Sequence, residues 1–148
     1  MNQSLENQVM REITPLSDKD CFYIGERIKT EFTYPIHHHD EYELNFIEQA
    51  AGVRRVIGDS TEVINDFDLV LITGRDLEHV WEQHECSSKR IHEITIHFSS
   101  QLFNESLLNK NQLESIHKMF EKAKNGLSFP MPAIMKVYSH LCSLSSEQ

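Results

Sequence analysis

Between residues 21 and 98 the chain consists of short aromatic and β-branched segments separated by turn residues. No other feature restricts its fold so strongly. "CFYIG" stops at Gly25, "YELNFIEQ" runs from Tyr42 to Gln49, and "GVRRVIGDS" begins at Gly52 and reaches a second glycine at Gly58. "STEVINDFD", "LVLI", "HVWEQ" and "RIHEITIHF" follow at similar spacing. Segments of four to nine residues, each too short for a stable helix, predict strands, and strands this evenly spaced predict a sandwich or barrel.

The period changes after Phe98. "NQLESIHKMFEKAKNG" opens on a cap-like pair, Asn111 and Glu114, and closes on Gly126. Its Leu113, Ile116, Phe120 and Ala123 share one helical face. "PAIMKVYSHLCSLSSEQ" has Pro132 near its first turn and places Ile134, Val137, Tyr138, Leu141 and Leu144 along one stripe. Both stripes suit core packing, and the last also suits a dimer seam. Residues 1–20 are polar and mixed in charge, with Met10, Ile13 and Leu16 as anchors, and Pro15 works against a long helix. They are expected to form a loosely ordered arm.

Composition removes several classes of function. Fourteen Lys and Arg against 23 Asp and Glu leave a net charge of −9. The basic residues cluster no further than doublets such as Arg54-Arg55 and Lys89-Arg90. A phosphate backbone requires a concentrated basic face, so this stretch alone is a poor nucleic-acid binder. No apolar run has the length of a membrane span or a signal-peptide core. Cys21, Cys86 and Cys142 are odd in number and widely spaced, as expected for reduced thiols in a cytoplasm.

Nine histidines are the compositional excess, and three are consecutive in "HHHDEYE". On a strand His37 and His39 share a face, about 6.6 Å apart at the Cα atoms, while His38 points away. Two such imidazoles can converge on one ion. Glu43 would lie about 13 Å from His39 along a straight strand, so it joins them only through a bulge or bend at Asp40-Glu41. From there Glu43, Asn45 and Ile47 share one face, and Tyr42, Leu44 and Phe46 the other. His79 opens a later strand after a turn containing Gly74, with Trp81 and Gln83 on its face. Three histidines and a carboxylate suit a first-row divalent ion, Zn, Ni, Fe or Mn, without selecting among them. A polar pocket wall of hydrogen-bonded histidines is the alternative.

The segments "HHHDEYELNFIEQAAGVRRVIGD", "DFDLVLITGRDLEHVWEQ" and "ITIHFSSQLF" resemble the amino-terminal cupin domain of AraC-type transcription regulators. The resemblance covers roughly residues 20–125. It departs at Asp66-Phe67, where the family commonly shows Pro-Gly, and in the turn before His79. It implies a mostly β, cupin-like jelly-roll barrel, a double-stranded β-helix, followed by C-terminal α-helices. The expected divisions are an arm (1–20), the barrel (21–100) and a helical dimerisation and linker region (101–148). A paired helix-turn-helix DNA-binding region would lie outside this sequence. The family's metal positions fall on His37, His39, Glu43 and His79.

The implied function is an effector-sensing, dimerising module that binds a small molecule, such as a sugar, and acts on DNA only through the further region. Candidate ligand-binding residues are His37, His39, Glu43, His79, Trp81, Glu93, Thr95 and His97. Trp81 offers a platform for a sugar ring or serves as a core aromatic. Glu93, Thr95 and His97 form a polar ladder opposite Ile94, Ile96 and Phe98, and it either lines the barrel or faces water. Arg55 and Arg75 are expected to be solvated, with contact to a carboxylate or hydroxyl group as the alternative. A small metal-dependent cupin enzyme, an isomerase or dioxygenase, is the alternative, and a structural dimerisation domain with a vestigial pocket is a third reading.

Overall fold

The computed structural model describes residues 9–147, so positions 1–8 of the expected arm and residue 148 lie outside it. Among the described residues ten strands form two five-stranded sheets. The first joins β1 (Met10–Arg11), β3 (His37–His38), β8 (His79–Glu82), β5 (Arg54–Ile57) and β6 (Ser60–Val63), in that order. The second joins β10 (Leu127–Ser128), β7 (Phe67–Ile72), β4 (Tyr42–Glu48), β9 (Ile91–Phe98) and β2 (Phe22–Lys29). This is the mostly β, cupin-like barrel with C-terminal helices that the resemblance implies.

Alternation along each strand sorts side chains between two apolar layers. Ile47, Val70, Ile72 and Ile91 point from the second sheet toward Ile57 and Trp81 of the first, forming the barrel core. Phe46, Leu69, Ile94 and Ile96 point outward and are covered by Ile134 and Leu141 of the terminal helix. The central strands of the second sheet, β7, β4 and β9, are therefore covered on both faces, and Leu69 to Ile72 of β7 read as a continuous apolar run for that reason. By contrast β6 is an edge strand, exposed throughout and polar except at Val63.

Local details differ from the expectations. "GVRRVIGDS" and the start of "STEV" are one hairpin, β5 and β6, turned at Gly58, whose φ of +53° suits glycine. A short helix α1 (Glu105–Leu108) precedes the expected one and takes its cap from Asn104, whose side chain accepts from the Leu107 amide. Between Asn111 and Asn125 only α2 (Glu114–Lys122) is regular α-helix. Single 3₁₀ turns flank it, and neither Asn111 nor Glu114 supplies a capping bond. Phe120 and Ala123 bury this element against Leu71. Helix α3 (Met131–Leu144) begins with Pro132 in its first turn and packs Ile134 and Leu141 on the sheet, with Val137 left exposed.

The arm is also more ordered than expected from residue 9 onward. β1 pairs in parallel with β3, the Met10 amide donating to the Ile36 carbonyl at 3.0 Å and the Glu12 amide to the His38 carbonyl at 2.9 Å. Ile13, expected as an anchor, is 89% exposed, whereas Thr14 is buried. The backbone ladder, rather than apolar anchoring at Ile13, sets the arm's path.

Candidate functional site

The chain bends at Asp40-Glu41 and leaves the first sheet for the second. That bend solves the distance problem posed by a straight strand. It turns Glu43 back so that its Oε1 accepts from His39 Nε2 at 2.9 Å. The pairing of β3 with β8 sets His37 opposite His79, with ring centroids 4.3 Å apart. As a result one nitrogen or oxygen from each of His37, His39, Glu43 and His79 lies within 4.8 Å of all the others. All four residues are buried. His38 points away, toward Asp76.

The hydrogen bonds fix which ring nitrogen each histidine presents. Nδ1 of His37 donates to the Pro35 carbonyl at 2.8 Å, that of His39 to Glu41 at 2.9 Å, and that of His79 to Leu77 at 2.8 Å. A carbonyl can only accept, so each Nδ1 carries hydrogen and each Nε2 is turned toward the cluster. Metal-binding histidines show this arrangement because the outer bond fixes tautomer and ring orientation. Glu43 Oε2 and His79 Nε2 are buried without a hydrogen-bond partner among the described residues. Unpartnered ligand atoms on two residues of one converging donor group fit a divalent ion. The His/Glu group can hold a metal.

Electrostatics agree with this donor arrangement. Burial pushes the Glu43 carboxyl up, but the imidazoles of His39, His79 and His97 outweigh it and hold the carboxyl well below its ordinary value. Burial pulls His39 down, yet its bond to Glu43 and that carboxylate's charge raise it overall. His37 is lowered, chiefly by burial and then by the neighbouring His79. With Nδ1 of His39 already donating to a carbonyl, its contact with the Glu43 carboxylate requires a positive charge between them. Either a proton or a metal ion supplies it.

Beside the cluster lies a cavity of about 150 Å³. His37, Glu43, Trp81, Glu93, Thr95 and His97 line it, whereas His39 and His79 stand behind the wall. The polar ladder of β9 thus faces inward, and Trp81 both lines the cavity and belongs to the core. Lys29 pairs with Glu93 at 2.7 Å and lies over the Phe32 ring, 4.3 Å from its centroid. Asn45 donates to Thr95 Oγ1 at 2.9 Å, and His97 Nε2 donates to Glu43 Oε1 at 2.8 Å.

Several lining residues went unread in the sequence. Tyr23, Gly25, Arg27 and Lys29 come from alternate positions of β2, and Glu12, Thr14 and Pro15 from the arm. The β2 set carried a usable signal, a period of two through "YIGERIK" that sends Gly25 and its neighbours inward. The arm residues carried none, because their position depends on pairing with β3. Arg55 corrects an expectation too. It is buried, in contact with Asp68 and 2.7 Å from Glu62, while Arg75 stays exposed beside Asp40.

No family model matches the chain, and no curated protein matches it in sequence. Solved structures do match. An apo point variant of ToxT from Vibrio cholerae strain SCE256 superposes with a TM-score of 0.51 at 12% identity, covering 86% of this chain and 49% of that one. The chain shares the fold of ToxT. Another ToxT structure from Vibrio cholerae gives 0.49 at 13% identity over 82% of this chain and 48% of its own. A third, bound to (E)-4-(8-methylnaphthalen-1-yl)but-3-enoic acid, gives 0.48 at 13% identity over 84% and 48%. The chain spans about half the length of the ToxT chains it matches. No helix among the described residues is long and apolar enough to cross a membrane.

Proposed function

We propose that the chain is the effector-sensing and dimerisation part of an AraC-type transcription regulator, acting in the cytoplasm. ToxT, whose fold it shares, is an AraC-family regulator. The observation that carries the reading is the cavity between the two sheets, walled by polar groups from β4 and β9 and by Glu12, Thr14 and Pro15 of the arm. Aromatic faces at Phe32, Tyr34 and Trp81 beside Asn45, Glu93 and Thr95 suit a small hydroxylated ring such as a sugar. A volume of about 150 Å³ accommodates one such ring rather than a long ligand.

In this reading His37, His39, Glu43 and His79 hold a divalent ion, Zn, Ni, Fe or Mn, at the cavity wall. The arm (1–20), barrel (21–100) and helical region (101–148) then act as lid, container and dimerisation and linker element. A small molecule that binds the arm-closed arrangement about 100-fold better than the open one shifts the balance by about 2.7 kcal/mol. A helix-turn-helix region outside this sequence would read that shift on DNA. The fold shared with a regulator supports a sensing role rather than catalysis.

Gly25 makes the proposal testable. It lines the cavity, and a Cβ added there meets nothing within 4 Å. Valine favours strands and would fill space without strain. Thermal melting against a panel of monosaccharides should raise the wild-type Tm by about 9 °C for a ligand at 100 times its Kd. Gly25→Val should melt at the wild-type temperature without ligand and show no ligand shift. An undiminished shift in Gly25→Val would place the ligand elsewhere, and turnover of any panel member would favour the metal-dependent enzyme instead.

A further inference from the structure

Among the described residues, one donor at the histidine cluster comes from outside the barrel strands. Glu12 follows β1 in the arm, and its Oε2 lies 3.8 Å from His37 Nε2 and 3.9 Å from His39 Nε2. Glu12, His39, Glu43 and His97 also form a second group whose donor atoms all lie within 4.8 Å of one another. Ion-to-donor bonds of about 2.0–2.2 Å let two ligands of one ion stand as much as about 4.2 Å apart. The Glu12 carboxylate is therefore within reach of an ion shared with both histidines.

Charge argues in the same direction. A divalent ion on three neutral imidazoles and Glu43 leaves one uncompensated positive charge in a buried space, which is costly. A second carboxylate makes the site neutral. Among the described residues the arm is tied by the short β1–β3 backbone ladder, an exposed Arg11–Asp40 pair at 3.2 Å and a Thr14–Glu41 contact at 3.3 Å. Such a short ladder opens readily, so one added ligand bond changes its population strongly.

We propose that Glu12 is a further ligand of the divalent ion, so that loading the ion latches the arm across the cavity beside Thr14 and Pro15. This rests on the metal reading of the His37, His39, Glu43 and His79 site. Coupling is reciprocal: the ion holds the arm closed, and a closed arm tightens the ion. Effector exchange then depends on ion loading, because the arm forms part of the cavity wall.

The test is amide hydrogen exchange of residues 9–20, with zinc or with a chelator, in the wild-type chain and in Glu12→Gln. Zinc should slow exchange at Met10 and Glu12 tenfold or more in the wild type. Glu12→Gln should still take up one zinc, about tenfold more weakly, and show no slowing. Arg11→Ala, which removes only the surface pair, should keep the zinc response. Equal slowing in Glu12→Gln, or bound zinc without slowing in the wild type, overturns the latch while leaving the metal site intact. Loss of the response in Arg11→Ala overturns it too, by assigning the effect to general loosening of the arm. A wild-type chain that takes up no zinc overturns the latch and the metal reading together.

Discussion

Asp68 and Arg55 are charged residues buried in the barrel away from the histidine cluster, and each depends on the other. Burial pushes the Asp68 carboxyl above its ordinary value of 3.8, against the pull of the Arg55 guanidinium. Arg55→Met would leave that carboxylate enclosed and without its guanidinium partner, a change that costs about 3–5 kcal/mol. Because the folded form binds the proton more tightly than the unfolded chain, the penalty should be full at pH 7 and shrink as the pH falls toward 4. Urea denaturation at both pH values checks this, and an equal loss at both would assign the cost to packing. The solvated reading of Arg55 failed because it weighed residue type without knowing the face. Strand alternation settles the face only once the register against Trp81 is known. His37 and His39, by contrast, were legible as a pair, since two residues on a strand always share a side. Glu43 was legible with its condition attached, a bend at Asp40-Glu41, and the chain does bend there.

Elements differ in how much of their surroundings their own residues encode. The stripe through α3 announced a helix, but it also suited a partner chain. The structure lays Ile134 and Leu141 on Phe46, Leu69 and Ile94 of the second sheet. Ile134 is 2% exposed, so Ile134→Ala should cost about 3 kcal/mol in urea denaturation. Met135, its chain neighbour, is 46% exposed, and Met135→Ala should leave monomer stability within about 0.5 kcal/mol. Reversed magnitudes would mean that the helix docks through its other face. Gly126 shows a legible stop with an illegible reason. Its φ is +82°, and an added Cβ would fall 2.7 Å from Ile57 Cγ2, so backbone and packing both exclude a side chain. The two-residue strands β1 and β10 could not be read at all. They exist because β3 and β7 offer free edges, and their sequences, "MR" and "LS", carry no period.

At the scale of the molecule, the site joins one local run, His37 to Glu43, to groups distant in sequence. β4 supplies Glu43, β8 supplies His79, β9 supplies His97 and the arm supplies Glu12, and only the closing of one sheet over the other makes them neighbours. The kind of fold was therefore easier to read than the membership of its cavity. Segment length and punctuation signal a β-container, whereas the inward residues of β2 and the arm follow from pairings no local pattern records. The barrel holds its charged groups at a cost in desolvation, and a buried donor set with orphaned Glu43 Oε2 and His79 Nε2 is the central chemical fact of the chain. Equilibrium dialysis against zinc followed by elemental analysis tests it most directly. The account predicts one ion per wild-type chain and none in the folded His37→Ala/His79→Ala variant; a wild-type chain without zinc, or a double variant that retains it, would contradict the account.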